Sequence, residues 1–236
     1  EDLVSLSRDL LLARGLGRAY GDAALPAPRD REGAGTTLAD RILSFDPASG
    51  ILKAEAGLSL DAMLRYFLPL GFVTPVSPGT RFVTLGGMVA CDVHGKNHHR
   101  DGTFGRHVLA VTVRTGAGGL VTCSPAEHPD LFRATVGGMG LTGVICDVTV
   151  RLARVPSPWI LGDSRRVRDI DEFISELRSS ATVWPMTVGW IDCLARGRNL
   201  GRGVLHRGRW AESHEAPANV PQPITGPTVP VNCPSF

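Results

Sequence analysis

Residues 78–107, PGTRFVTLGGMVACDVHGKNHHRDGTFGRH, constrain this chain more than any other span. They combine Gly79, Gly86, Gly87, Gly95, Gly102 and Gly105 with hydroxyls, a lysine and several histidines, a mixture that core packing does not require. In regular structure each glycine costs roughly 0.5–1 kcal/mol relative to alanine, because it loses more backbone freedom on folding. Such density is offset where the backbone turns through positive φ or lies against a ligand. A large polyanion that accepts several N–H groups meets that requirement.

At 236 residues and 43% hydrophobic content the chain can bury a substantial core, near the size where one core divides into two. A formal charge of +2, with arginines dispersed along the chain, argues against nucleic acid. The five cysteines lack CxxC spacing, so neither a disulfide framework nor a zinc ribbon is indicated, and a reducing compartment is expected. No secretory leader and no apolar run of about 20 residues occurs, which predicts a chain that is cytoplasmic or peripheral at the membrane. Glu1 enters directly into an element and Phe236 lies inside a proline-rich connection, so further sequence is expected on each side.

Periodicity predicts the elements. Residues 10–13 read as a buried strand, 30–35 as an exposed, mobile connection, and 51–56 as an alternating strand. Ser59 is placed to cap a helix whose Leu60, Met63, Leu64, Phe67 and Leu68 recur at helical spacing, stopped by Pro69 and Gly71. Thr84 predicts a short helix through about Cys91, with the N–H groups of Leu85, Gly86 and Gly87 offered to an anion. A hairpin (108–115 and 120–123), a helical turn (129–134) and a long strand (144–152) follow. Two prolines within 154–158 set a boundary near residue 153. Beyond it a helix (171–178), strands (186–191 and 203–206) and a proline-rich extended loop (217–234) are predicted.

Gly15-Leu-Gly-Arg-Ala-Tyr-Gly21 admits three readings. A dinucleotide fingerprint is disfavoured because prolines follow where a helix should open. A plain glycine turn and a phosphate-cradling nest of backbone N–H groups, supplemented by Arg14 and Arg18, both remain open. Two cradles, this one and Thr84 to Gly87, suit a pyrophosphate. Cys91, His94, His98 and His99 invite a metal, but adjacent histidines do not readily face one ion and the spacing matches no zinc motif. Core hydrogen bonding and a cofactor-facing role for His94, Gly95 and Asn97 remain. A hydrolase elbow and a Walker loop are both absent.

The segments at 13–24, 78–99, 102–108, 131–145 and 189–205 resemble, in order and spacing, the FAD-dependent oxidases of the vanillyl-alcohol oxidase type. The resemblance implies an α+β fold: a two-subdomain PCMH-type FAD-binding domain over 1–153, then the start of an antiparallel-sheet substrate domain over 154–236. It implies that Ala13, Arg14, Gly15, Leu16, Gly17, Arg18, Ala19, Tyr20, Gly21, Asp22 and Ala23 hold the pyrophosphate and adenosine side of FAD. Gly79, Thr80, Thr84, Leu85, Gly86 and Gly87 would face the phosphates and flavin. Cys91, His94, Gly95, Lys96 and Asn97 would lie by the ring, and Ile145 by the adenine. Lys96 and Trp190 would border the substrate, with His94 and Lys96 the catalytic candidates and no metal. FAD is expected to be noncovalent, although some relatives link a histidine aligned with His94 to the flavin.

The implied reaction oxidises the 2′-hydroxyl of a polyprenylphosphoryl-β-D-ribose to the ketone, and a companion NAD-dependent reductase completes epimerisation to the arabinose form. An aldonolactone or alditol oxidase using oxygen is the alternative from the same fold, and a noncatalytic flavin-binding module the alternative from another class.

Overall fold

The computed structural model describes residues 12–25 and 33–218. The chain opens with β1 (Leu12–Arg14), which pairs in parallel with β2 (Gly33–Gly35). This corrects the expectation that 30–35 is a free connection: the Arg14 carbonyl accepts the Thr36 N–H at 2.9 Å, a backbone ladder that needs no particular side chains. Residues 30–32, the predicted strand's first two residues, and Pro26 and Pro28 lie outside the described residues.

β3 (Ile42–Asp46) and β4 (Ile51–Glu55) form a hairpin. Its turn is set by the Asp46 carboxylate, which accepts the Ala48 and Ser49 N–H groups, and by Gly50 at φ 71°. Ser59 caps α1 (Leu60–Phe67) by accepting the Ala62 N–H, and Leu60, Met63 and Phe67 are buried along one face. A 3-10 turn over Leu68–Leu70 and Gly71 at φ 79° end that helix before β5 (Phe72–Val73). Then come α2 (Leu85–Ala90), α3 (His98–Asp101), β6 (Val108–Thr115), β7 (Leu120–Cys123), α4 (Pro129–Thr135), β8 (Gly143–Arg151) and β9 (Ala153–Arg154).

Five of these strands make an antiparallel sheet in the order β3-β4-β8-β6-β7. Its core joins Leu52, Val111, Val113, Val148 and Val150 from the strands to Leu60, Leu85, Met88, Val89 and Phe104 from the helical layer. Burying each such side chain stabilises the fold by roughly 1.5–3 kcal/mol. β9 pairs with β5, and the Gly71 carbonyl accepts the Val155 N–H at 2.9 Å.

Next come β10 (Ile160–Val167), α5 (Ile170–Val183), β11 (Met186–Ile191) and β12 (Gly203–Trp210), whose strands form a separate antiparallel sheet in the order β10-β12-β11. α5 starts at Asp169, whose carboxylate accepts the Glu172 N–H at 2.9 Å, and covers one face of that sheet. Phe173 fills the space above Gly189, where a Cβ would meet its ring at 2.1 Å, and clusters with Val167 and Leu205. The architecture is mixed helix and antiparallel sheet. Residues 219–236, with most of the predicted proline-rich loop, lie outside the described residues. Among the described residues no helix is long and apolar enough to cross a membrane.

Candidate functional site

Two glycine segments far apart in sequence meet at one point. A Cβ on Gly15 would lie 2.4 Å from Thr84 Oγ1, so the turn that follows β1 is pressed against the residue that caps α2. Gly57 makes that approach possible, since a Cβ there would lie 1.9 Å from the Thr36 carbonyl oxygen and 2.6 Å from that of Ala39. Residues 36–39 and 56–58 therefore stack backbone on backbone beneath the start of α2. Gly57 went unremarked in the sequence, where one glycine in AGLS gives no signal of such contact.

The turn from Gly15 to Gly21 is mostly exposed, with Gly17 at φ 66° and Gly21 at φ 60°. Among the described residues, no acceptor takes the N–H groups of Leu16, Gly17, Arg18, Ala19, Tyr20 or Gly21. Arg14 folds back so that its Nη2 would lie 2.8 Å from a Cβ on Gly17, and Arg18 Nη1 donates to the Leu16 carbonyl at 2.9 Å. Free N–H groups in a tight turn beneath two guanidinium groups are a donor set for phosphate oxygens. Asp22 and Ala23 continue the turn, and the Asp22 carbonyl accepts the Leu25 N–H at 2.8 Å. Ala13 packs partly buried against the core behind it.

The start of α2 differs from expectation. The Leu85 N–H donates to the Leu58 carbonyl and the Gly86 N–H to the Ala56 carbonyl, both at 2.8 Å, while Thr84 Oγ1 accepts the Gly87 N–H at 3.3 Å. These donors anchor the helix to the 56–58 loop and are not offered to an anion. The correction is physical: a six-residue helix packed edge-on to a loop satisfies its first N–H groups with that loop's carbonyls. The donors left for a phosphate beside Thr84 are those of the Gly15 turn. Ile145 is buried in β8 one position before Cys146, whose carbonyl accepts the Ala56 N–H, so it joins this region through the sheet.

A second convergence lies beyond α2. Gly95 is wedged against the 77–80 turn, where a Cβ would meet the Ser77 carbonyl oxygen at 2.7 Å and Asn97 Oδ1 at 2.9 Å. In that turn Gly79 faces open space, and Thr80 Oγ1 accepts the Phe82 N–H. Buried Asn97 donates through Nδ2 to the Pro75 carbonyl at 2.7 Å and to Asp101 Oδ2 at 2.6 Å, fixing the loop from inside. His94 is exposed, bridges to Thr103, and lies edge-on to the His98 ring with centroids 5.7 Å apart. Among the described residues there is no group of three or more His, Cys, Asp and Glu that could hold a metal. Desolvation by the surrounding residues pushes the thiol of Cys91, whose surface is otherwise exposed, above its ordinary pKa.

Asp92 is a positioning residue that the sequence did not single out. It adopts φ 40°, unusual for a side chain other than glycine, and its Oδ1 accepts the Gly105 N–H at 2.7 Å. With the Phe104 N–H on the Val93 carbonyl at 2.9 Å, this ties the segment leading to His94 against 103–105.

The second sheet attaches directly to this loop. The Lys96 carbonyl accepts the Thr187 N–H from β11 at 2.9 Å, and His99 Nε2 is 3.0 Å from the Trp184 carbonyl oxygen. Lys96 thus sits at the edge of the strand that carries Trp190, three residues beyond Thr187 and 71% exposed. The structure brings Lys96 and Trp190 to one strand edge, and Gly15 and Thr84 to one contact.

Comparison with known proteins agrees with this geometry. Residues 10–124 match the FAD binding domain family. The decaprenylphosphoryl-β-D-ribose oxidase of Mycolicibacterium smegmatis is 37% identical over 216 residues, 89% of this chain and 46% of that protein. An uncharacterized protein in the mprA 5′ region of Streptomyces coelicolor is 42% identical over 150 residues, 63% of this chain and 40% of that protein. A D-arabinono-1,4-lactone oxidase of Yarrowia lipolytica is 27% identical over 115 residues, 47% of this chain and 22% of that protein. The chain spans less than half the length of each of these relatives. The donor-rich turn at Gly15 and the Gly15–Thr84 contact lie within the matched span and fit FAD, so residues 10–124 carry an FAD binding domain, in a chain similar to FAD-linked oxidases.

Proposed function

We propose that the protein to which this chain belongs oxidises the 2′-hydroxyl of a polyprenylphosphoryl-β-D-ribose to the 2′-keto form. The observation that carries the reading is the convergence of the Gly15 turn on Thr84, which assembles a diphosphate cradle in a chain 37% identical to an oxidase of that substrate. When bound, FAD supplies a hydride acceptor for the carbinol carbon. The chain's own residues do the rest. Arg14, Arg18 and the N–H groups after Leu16 would hold the phosphates, while Asn97 and Gly95 lock the loop that presents His94 and Lys96. The Lys96 carbonyl is committed to β11, which leaves its exposed ammonium to polarise the substrate hydroxyl beside Trp190.

On this reading FAD is held without a covalent bond, and the ketone passes to a companion NAD-dependent reductase. The protein acts on a lipid-linked substrate from the membrane surface. A two-subdomain FAD-binding domain ends near residue 153 and a substrate domain follows. Support for that division comes from the ladder of β9 on β5, after which, among the described residues, the strands from Ile160 onward form ladders with one another and not with the first sheet.

The test is anaerobic mixing of the full-length flavoprotein with polyprenylphosphoryl-β-D-ribose, following loss of the flavin's visible absorption. Bleaching by this substrate, with none by aldonolactones or alditols, is the expected outcome. Peroxide release with a soluble lactone would replace the reading with an aldonolactone oxidase. FAD that no sugar bleaches would indicate a noncatalytic flavin-binding module. Acid precipitation is expected to leave the yellow colour in the supernatant.

A further inference from the structure

The connection between β11 and β12, residues 192–202, is a tightly held loop that nevertheless exposes apolar side chains. Its one acid is used internally. Asp192 Oδ1 accepts the Leu194 N–H at 3.0 Å and the Ala195 N–H at 3.2 Å, and Oδ2 accepts Arg202 Nη2 at 2.7 Å and Nε at 2.9 Å. After a 3-10 turn over Gly197–Asn199, the Leu200 carbonyl accepts the Ile170 N–H at 2.7 Å, which pins the loop to the start of α5. Gly201, at φ 79°, permits that approach, since a Cβ there would lie 2.6 Å from Ile170 Cβ. Although both ends are fixed in this way, Leu194 is 89% exposed and Leu200 55%, next to Ile191 at the end of β11.

The loop also carries free positive charge. Arg196 and Arg198 are exposed, and neither guanidinium has an ion-pair or hydrogen-bond partner among the described residues. The acids of the adjoining helix turn do not neutralise them. Asp169 caps α5 and Glu172 takes Arg168, while Asp171 lies beside Ser175 and Arg178 on the side of the helix opposite Phe173. A leucine held in water between unpaired guanidiniums suits a bilayer surface, where the apolar side chain enters the acyl boundary and the cations meet anionic headgroups. A single loop is small against the roughly 800 Å² per partner that a stable protein interface buries.

Its position agrees with a lipid-linked substrate. β11 meets the Lys96 loop at Thr187, passes through Trp190 and ends at Ile191, so the loop lies at the strand end remote from Lys96. Thr187 to Ile191 spans about 13 Å of extended chain. With the ribose bordered by Lys96 and Trp190, the order along the strand is sugar, then loop, which is the direction in which phosphate and prenyl chain leave the ring.

We propose that residues 192–202 dock the protein on an anionic bilayer surface, with Leu194 entering the lipid and Arg196 and Arg198 on the headgroups. The proposal rests on the polyprenylphosphoryl-ribose reading and adds to it the surface through which the protein meets the membrane.

The test uses the full-length holoprotein and vesicles of phosphatidylglycerol and phosphatidylcholine in equal parts, with phosphatidylcholine alone for comparison. Wild type should sediment with the mixed vesicles, far less with phosphatidylcholine, and less as salt is raised. Arg196→Gln/Arg198→Gln is expected to lose roughly tenfold or more in partitioning onto the mixed vesicles, and Leu194→Ser several-fold. Both variants should keep the wild-type flavin spectrum and oxidise dispersed farnesylphosphoryl-β-D-ribose with wild-type kcat and KM, yet turn over the polyprenyl substrate in mixed vesicles several-fold more slowly. Equal vesicle binding by wild type and both variants would overturn the proposal, as would a wild type that ignores the mixed vesicles. Variants altered in self-association, measured by sedimentation velocity, with vesicle binding unchanged would assign the loop to a second copy of the chain and overturn it too. Vesicle binding is scored without substrate and flavin bleaching by the dispersed ribose substrate without vesicles, so failure of this surface and failure of the substrate assignment are read separately.

Discussion

Single residues carry two kinds of information in this chain, the contact they make and the contact they permit. Gly15 is of the second kind, because a methyl group there would collide with Thr84, whose hydroxyl also caps α2. Gly15→Ala should therefore displace Thr84 and loosen the cradle, with FAD affinity falling about tenfold and stability by about 1–2 kcal/mol. Flavin titration of apoprotein and thermal unfolding measure the two. Gly35→Ala, where a Cβ meets nothing within 4 Å, is the control. Glu55 is of the first kind. Its buried carboxylate accepts Arg41 Nη2 at 2.6 Å, Nε at 3.1 Å and the Arg41 N–H at 2.8 Å, and the guanidinium holds its pKa below the ordinary value. A pKa lower in the folded than in the unfolded chain contributes stability above the unfolded value of about 4.3, and that contribution is lost as pH falls through the folded one. Glu55→Gln should be less stable than wild type at pH 7, and the difference should shrink as urea midpoints are followed downward past pH 4. A constant difference across that range would refute the linkage. Gly15 and Thr84, which meet in the structure, were singled out in the sequence by residue type, whereas Gly57 and Asp92 were not, because their importance lies in backbone from other segments.

At the scale of elements, legibility followed the strength of the local pattern. Leu60, Met63 and Phe67 at helical spacing behind Ser59 announce α1, and alternation along 144–150 announces β8. β10 was invisible, since ILGDSRRV offers charged residues where a half-buried strand would alternate. Its ladder with β12 and the Arg207–Asp163 and Arg165–Glu176 pairs supply what side-chain hydrophobicity does not. β2 escaped notice for a related reason, its pairing being made of backbone alone. The junction between β11 and the Lys96 loop makes a prediction at this scale. The Thr187 N–H points away from β12 and is spent on Lys96, so Thr187→Pro removes that one bond from an edge strand, a position where proline is tolerated. The variant should bind FAD like wild type, because the phosphate turn is remote, yet lose several-fold in kcat/KM as the sheet carrying Trp190 loses its register against the loop. Unchanged kinetics with the same flavin spectrum would show that this attachment does not organise the substrate side.

At the scale of the whole molecule, the described residues form two unequal hydrophobic clusters, and on the proposed function that inequality would separate cofactor binding from substrate binding. The first core spans the five-stranded sheet, α1, α2 and Phe104, while the second gathers Val167, Phe173 and Leu205 under one helix. Local opening follows buried contact, so the second sheet should open at lower free energy than the first, as units with few buried apolar contacts do. Phe173 is the lever: it touches Gly189 from above and is the largest member of its cluster, and deleting a buried phenylalanine ring costs about 3–5 kcal/mol. In the full-length protein, hydrogen exchange measured by mass spectrometry should show the amides of β10, β11 and β12 exchanging sooner than those of β6 and β8. Phe173→Ala should widen that gap while leaving FAD bound and its visible spectrum intact. The same variant should lose turnover on the prenyl-linked substrate, because the face bearing Trp190 depends on α5 to hold its strands in register. If Phe173→Ala released FAD as readily as it exposed the second sheet, the two cores would be one cooperative unit, and flavin and substrate sites would stand or fall together.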